Sequence, residues 1–140
     1  MTDLPDIPGV PHILVVDDQA TVRRMAHRLL NEWGFRVFEA ESGEEAMEVL
    51  ETARAGIQLV IVDVVMPFAD GVQVSRRIQE SRPNQRILFM SAHPAEVLAQ
   101  YGLTELSVPF LAKPFTRDEL LAKVSEALSR PTSATQDLPR

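Results

Sequence analysis

Short apolar runs alternate with helically spaced segments five times along this chain, and that alternation restricts the fold more than any other feature. The runs are Ile13-Leu14-Val15-Val16, Phe35 to Ala40, Leu59-Val60-Ile61-Val62, Ile87-Leu88-Phe89-Met90 and Phe110-Leu111-Ala112. After the first run, Val22, Ala26, Leu29, Leu30 and Trp33 recur at helical intervals, and Gly34 ends that helix. Ser42, with Glu45 three residues on, forms a capping box ahead of the stripe Ala46, Val49, Leu50 and Ala53, which Gly56 closes. A third helix is expected around Val72 to Ser81, before Pro83. A short fourth is expected at about Ala95 to Tyr101, ending at Gly102. Thr116 and Glu119 make a second capping box for a fifth helix, with Leu120, Val124 and Leu128 facing inward. Five βα units in a row imply an α/β fold, with a parallel sheet, helices on both faces and right-handed crossovers. The first, third and fourth runs are continuously apolar, as strands covered on both sides require. The second carries Arg36 and Glu39 and belongs at an edge. A doubly wound five-stranded sheet in the order 2-1-3-4-5 satisfies all of this.

The chain has 140 residues, the size of one domain with a core of its own. The folded body is expected at residues 12–129. Residues 1–11 form a Pro-rich leader in which Pro5, Pro8 and Pro11 recur every third position, favouring an extended arm. Residues 130–140 form a polar tail, expected to be disordered. Fourteen Lys and Arg against twenty Asp and Glu give a net charge of −6, which argues against a nucleic-acid surface. No cysteine is present, so thiolate chemistry is excluded. No apolar run approaches the roughly 20 residues of a membrane span. Only two of the fourteen basic residues are lysines, Lys113 and Lys123.

The polar residues at the strand ends carry the chemistry. Asp17 and Asp18 follow the first run, Asp63 the third, Ser91 the fourth and Lys113 the fifth. All are carboxyl ends of strands, the edge where open α/β sheets bind ligands. The first and third strands are neighbours in the expected order, so three carboxylates converge. Two unit charges 4 Å apart repel by about 4 kcal/mol at an effective dielectric near 20, so compensation is needed. Lys113 supplies one positive charge, and a divalent cation supplies the remaining two. Oxygen donors without His or Cys suit a hard ion, Mg²⁺ above all, whose waters exchange for phosphate oxygens. No P-loop, Gly-rich fingerprint or Ser-His-Asp arrangement accompanies the cluster. A carboxylate is left as nucleophile, giving an acyl phosphate.

These residues resemble the receiver domain of bacterial response regulators in two-component signalling, a flavodoxin-like (βα)5 family. The resemblance lies in Ile13-Leu14-Val15-Val16-Asp17-Asp18, Asp63-Val64-Val65-Met66-Pro67 with Asp70-Gly71, Met90-Ser91-Ala92 and Lys113-Pro114-Phe115. It covers about residues 12–129. It implies that Asp63 accepts a phosphoryl group from a phosphohistidine of a histidine kinase or histidine phosphotransfer protein. It implies that Asp17, Asp18, Asp63 and the backbone carbonyl of Val65 arrange Mg²⁺, and that Ser91 and Lys113 contact the phosphoryl oxygens. It further implies a cis Lys113–Pro114 bond and an aromatic switch at Phe110, acting on the face of the fourth helix, fifth strand and fifth helix. The chain would then be a signalling phosphoacceptor, catalysing only its own phosphorylation and dephosphorylation, in the cytoplasm. Two versions stay open: a free-standing regulator, and the receiver of a hybrid histidine kinase; no output domain is expected within these residues. The downstream partner is unknown, and homodimerisation on phosphorylation is open. Phe110 lacks the hydroxyl of the frequent Tyr, so its switch would be packing alone. Val65 offers no side-chain hydrogen bond to an attacking water, which points to a longer-lived phosphoryl state, while His93 acts in an undecided direction.

Plainer readings accompany these. Asp17 and Asp18 can cap the first helix, Asp18 serving both roles. Asp70-Gly71 is expected to be a turn and cap rather than a ligand. Arg23, Arg24 and Arg28 are expected to be a solvated helix face that an acidic kinase partner can meet. His12, His27 and His93 are expected at the surface or at strand ends. Two other functions compete: a Mg²⁺-dependent phosphatase forming an aspartyl phosphate, and a degenerate receiver that only binds partners. The first usually carries a second acid two residues after the nucleophile, where this chain has Val65. The intact set Asp17, Asp18, Asp63, Ser91 and Lys113 opposes the second.

Overall fold

A computed structural model describes residues 10–53, 56–66, 70–100 and 109–129. Five strands alternate with five helices: β1 (His12–Val16), α1 (Ala20–Glu32), β2 (Arg36–Ala40), α2 (Gly43–Thr52), β3 (Leu59–Asp63), α3 (Gly71–Ser81), β4 (Arg86–Ser91), α4 (Pro94–Gln100), β5 (Phe110–Ala112) and α5 (Arg117–Ser129). The strands form one parallel sheet in the order β2-β1-β3-β4-β5. The order and the edge position of β2 agree with the sequence reading.

Alternate strand residues feed two cores. Leu14, Val16, Val60, Val62, Ile87 and Phe89 face Ala46 and Leu50 of α2, Ile78 of α3 and Val97 of α4. Ile13, Val15, Leu59, Ile61, Leu88 and Met90 face Ala26 and Leu30 of α1 and Leu120 and Val124 of α5. Every residue of β1 and β3 is buried, which is why these runs are apolar at consecutive positions and not at alternate ones. Burying each such Leu or Ile contributes about 1.5–3 kcal/mol.

The helix ends follow local chemistry. Gly34 has φ +106°. Its N–H donates to the Asn31 carbonyl, and the Phe35 N–H to the Leu30 carbonyl, the two bonds of a Schellman motif. Phe35 is thereby spent on closing α1, and β2 begins at Arg36, one residue later than expected. The Ser42 hydroxyl accepts from Glu45 N–H at 3.1 Å, while Glu45 Oε1 reaches back to Glu41 N–H at 3.0 Å. At α5 the box is reciprocal: Thr116 Oγ1 accepts from Glu119 N–H, and Glu119 Oε1 from Thr116 N–H. Pro94 opens α4, where its missing N–H costs nothing. The expected end of that helix at Tyr101 and Gly102, and Pro67 of the motif, lie outside the described residues. So do residues 1–9 of the leader and 130–140 of the tail. Pro11 accepts from the Arg36 N–H at 3.1 Å, so the leader's last residue already meets the sheet.

The structure decides three of the plainer readings and corrects one of them. The N-cap of α1 is Gln19, with no side-chain bond, so the acidic-site reading of Asp17 and Asp18 stands without the capping alternative. Arg23 is buried, not solvated, and is held by Glu39 sixteen residues away. His12 stands at a strand end as expected but is 4% exposed, stacked on Phe38.

Candidate functional site

β1 and β3 pair with Val16 opposite Val62, so the residues that follow, Asp17 and Asp63, emerge side by side. Asp63 is the last residue of β3 and 4% exposed; Asp17 is fully buried, and Asp18 is exposed. The Asp17 N–H donates to the Ala40 carbonyl, which holds it against the edge strand. Lys113 follows β5, across the sheet. Its Nζ donates to Asp17 Oδ2 at 2.7 Å, Asp63 Oδ2 at 2.9 Å and Gln19 Oε1 at 3.2 Å. The outer oxygens are also engaged: Asp17 Oδ1 accepts from Gln19 N–H at 2.9 Å and Asp63 Oδ1 from Val65 N–H at 3.0 Å. Of the residues the sequence singled out, Asp17, Asp18, Asp63 and Lys113 therefore meet in one pocket.

Ser91 ends β4 fully buried, one position beyond the Asp63–Met90 pair. Its Oγ accepts from the His93 N–H at 2.9 Å, and its carbonyl from the Lys113 N–H at 2.8 Å. The peptide bond between Lys113 and Pro114 is cis. Phe110 lies in β5 with its ring turned into the core, 6.4 Å from that of Phe89. Val65 is 62% exposed beside the pocket mouth and bridges to Asp70. Asp70 caps α3, its Oδ1 accepting from Val72 N–H at 2.7 Å, as the turn-and-cap reading required.

Burial pushes the Asp63 carboxyl up from the ordinary carboxylate range; Lys113 opposes this without overcoming it, and the Asp17 charge adds to it. For Lys113, burial works against the ammonium, but its bonds and attraction to Asp17 and Asp63 win, and its pKa is raised. The pocket thus holds its lysine charged and still carries excess negative charge. Oxygens of Asp17, Asp18 and Asp63 lie within 4.8 Å of one another. Three hard donors, one facing solvent, with charge left uncompensated, fit a divalent ion that keeps some of its waters.

Sequence reasoning missed three participants. Gln19 accepts from the lysine, and nothing in its neighbourhood signals that. Arg23 donates from Nη1 to the Asp17 carbonyl at 2.7 Å, a contact with no local signature. Gly71 was recognised only as part of a turn. A Cβ there would stand 2.2 Å from the Asp63 carbonyl oxygen and 2.7 Å from Val64 Cα. Its N–H donates to the Val64 carbonyl at 2.8 Å, so the start of α3 leans on the backbone that carries Asp63. The glycine directly after a capping Asp was the available clue.

No helix among the described residues is long and apolar enough to cross a membrane. Residues 13–125 match the family model described as response regulator receiver domain. The chain is 33% identical over 125 residues to the sensor kinase CckA of Brucella abortus, covering 89% of this chain and 13% of that protein. It is 35% identical over 120 residues to the response regulator MprA of Mycolicibacterium vanbaalenii, covering 86% and 51%. The chain thus spans about half or less of the curated relatives it matches. Among solved structures, a response regulator receiver protein from Sinorhizobium medicae is 35% identical, with a TM-score of 0.70 over 86% of this chain and 95% of the other. The response regulator TrrA from Thermotoga maritima, in complex with Mg(2+)-BeF, is 30% identical, with a TM-score of 0.69 over 84% and 99%. Fold order, acidic pocket and matched span agree, and the chain belongs to the response regulator receiver domain family of two-component systems.

Proposed function

We propose that Asp63 is the phosphoacceptor of this receiver. The observation that carries the reading is the Lys113 ammonium shared between Asp17 and Asp63, 2.7 and 2.9 Å away, at the carboxyl edge of the sheet. One carboxylate oxygen of Asp63 attacks the phosphorus of a phosphohistidine; the O–P bond forms as the P–N bond to the imidazole breaks. Asp17, Asp18, Asp63 and the Val65 carbonyl would hold Mg²⁺, which supplies charge neutralisation for the phosphoryl oxygens. Lys113 keeps its proton throughout and is placed to pair with a phosphoryl oxygen. Ser91 contacts a second oxygen by turning its hydroxyl from the His93 N–H, and Phe110 repacks in the space that movement opens. The altered face is that of α4, β5 and α5.

The working unit in this reading is residues 12–129, with the leader 1–11 and the tail 130–140 outside it, acting in the cytoplasm. The donor is a histidine kinase or a histidine phosphotransfer protein, and the response is read by a separate output. The similarity to part of a sensor kinase and to parts of longer regulators supports either architecture. Incubation with acetyl phosphate or phosphoramidate and Mg²⁺ tests the assignment: intact mass should rise by one phosphoryl group. Asp63→Asn should abolish the gain, and full modification of that variant overturns the reading. Lys113→Ala should still accept the group from small donors while losing the chemical-shift changes on β5 and α5; unchanged shifts would remove Lys113 from the relay.

A further inference from the structure

Arg23 stands outside the pocket but is bound to its frame. It is 9% exposed, on the inner side of α1. Its Nη1 donates to the carbonyl oxygen of Asp17 at 2.7 Å, and its Nε to Glu39 Oε1 at 2.8 Å. The other carboxylate oxygen, Glu39 Oε2, lies 2.7 Å from His27 Nδ1. The Asp17 N–H donates to the carbonyl of Ala40, the residue after Glu39, at 3.1 Å. Both polar groups of the Asp17 main chain are therefore tied to one dipeptide of the edge strand, the N–H directly and the carbonyl through the guanidinium. A guanidinium suits this task because its donors form a rigid fork that can serve a carbonyl and a carboxylate together. Burial works against the Glu39 charge, but the bonds from His27 and Arg23 and their charges prevail, and its carboxyl is held below the ordinary range. Glu39 is thus ionised at neutral pH and anchors the far end of the fork.

We infer that Arg23, braced by Glu39, is a positioning residue for the acidic pocket: by fixing the Asp17 main chain it holds the Asp17 and Asp18 carboxylates toward Asp63 and so sets the pocket's affinity for a divalent cation. The inference rests on the metal-binding reading given above. The plainer role for the same residues is an ion pair that fastens α1 to β2. Such a pair would affect folding stability and leave cation affinity alone. Outer groups that orient a metal's ligands change affinity by about 10–100-fold when removed. Arg23 acts through the main chain of one ligand, which points to the lower end of that range.

The test is an NMR titration of the whole chain with MgCl₂, paired with urea denaturation of each variant without Mg²⁺. Arg23→Met keeps the apolar stem and removes both hydrogen bonds; it should bind Mg²⁺ about tenfold more weakly than the parent. Arg23→Lys retains the charge but reaches the Asp17 carbonyl or Glu39 and not both, so an intermediate loss of about threefold is expected. Gly34→Ala strains the far end of α1 through its positive φ without touching Asp17, Arg23 or Glu39, and should leave Mg²⁺ affinity within about twofold of the parent, whatever its stability. In the metal-free protein, amide exchange at Asp18, whose N–H belongs to the same peptide as the Asp17 carbonyl, should quicken in Arg23→Met beyond what its urea stability accounts for. Asp17→Asn separates the two levels of the claim. If it weakens Mg²⁺ binding while both Arg23 variants match the parent, the positioning role is overturned and the metal reading stands. If it leaves binding unchanged, the metal reading itself falls. A loss in Gly34→Ala equal to that in Arg23→Met would mark general stability as the cause and also overturn the inference. Should Arg23→Met not fold, Arg23→Lys decides alone: affinity equal to the parent overturns the inference.

Discussion

Removing the lysine from the pocket leaves two buried carboxylates facing each other. Lys113→Ala should therefore cost about 3 kcal/mol in urea denaturation without divalent cation, the range for a buried pair stripped of one partner. Adding Asp63→Asn to that variant should restore part of the loss, because the remaining acid is then unopposed; strictly additive effects would mean the three groups do not interact. Glu39 makes a pH-dependent claim. Its folded pKa is depressed, so its contribution is present above the ordinary carboxylate range and disappears as pH falls through the folded value. Glu39→Gln should be about 1 kcal/mol less stable than the parent at pH 7, a modest figure for a partly exposed pair. The two curves should converge in acid, and a constant gap down to pH 3 would contradict the ionised tie. The sequence discloses Asp17, Asp63 and Lys113 because each sits at the end of an apolar strand, a position that hydrophobic runs mark. Arg23 is not disclosed in that way. Its partners lie sixteen residues away on the edge strand and six residues back on a main-chain carbonyl, and neither leaves a spacing pattern.

Secondary-structure elements were legible wherever one local rule decided them. Continuous apolar runs marked β1 and β3 because both of their faces are covered, and the two capping boxes marked the starts of α2 and α5. Replacing Thr116 with Ala should cost about 1 kcal/mol by freeing the Glu119 N–H. The start of α1 carries no side-chain cap, because Asp17, which precedes it, is drawn to Lys113, a residue 96 positions away. Competition of that kind is invisible to a local rule. The contact between α3 and β3 also depends on a distant approach. Gly71→Ala places a methyl group against the Asp63 carbonyl, and no flexible side chain is available to yield. We expect a loss of about 3 kcal/mol, the upper end for overpacking, together with shifted backbone resonances at Asp63 and Val64. Gly34→Ala offers the contrast. Its Cβ would meet nothing within 4 Å, so only the positive φ opposes it, at about 1–2 kcal/mol.

At the scale of the molecule, the sheet order follows from the apolar pattern, and the order brings the acids together. A ligand that binds only the folded pocket must then stabilise the whole domain. With Mg²⁺ at one hundred times its dissociation constant, the gain is about 2.7 kcal/mol. Melting curves with MgCl₂ and with EDTA should separate accordingly, and Asp18→Ala should bring them together. If that variant retains the full separation, Asp18 is not a ligand. Lys113 reaches Asp17 and Asp63 across separations of 96 and 50 residues, and its main chain joins the end of β4. This has a consequence for the order of events during synthesis. A growing chain acquires all three pocket acids by residue 63, but their cation is added fifty residues later. Until the last strand docks, the nascent site lacks the ammonium that bridges the Asp17 and Asp63 carboxylates. The final βα unit is thus what turns an assembled sheet into a working receiver, and a fragment ending before Phe110 would keep the acids and lack their cationic partner.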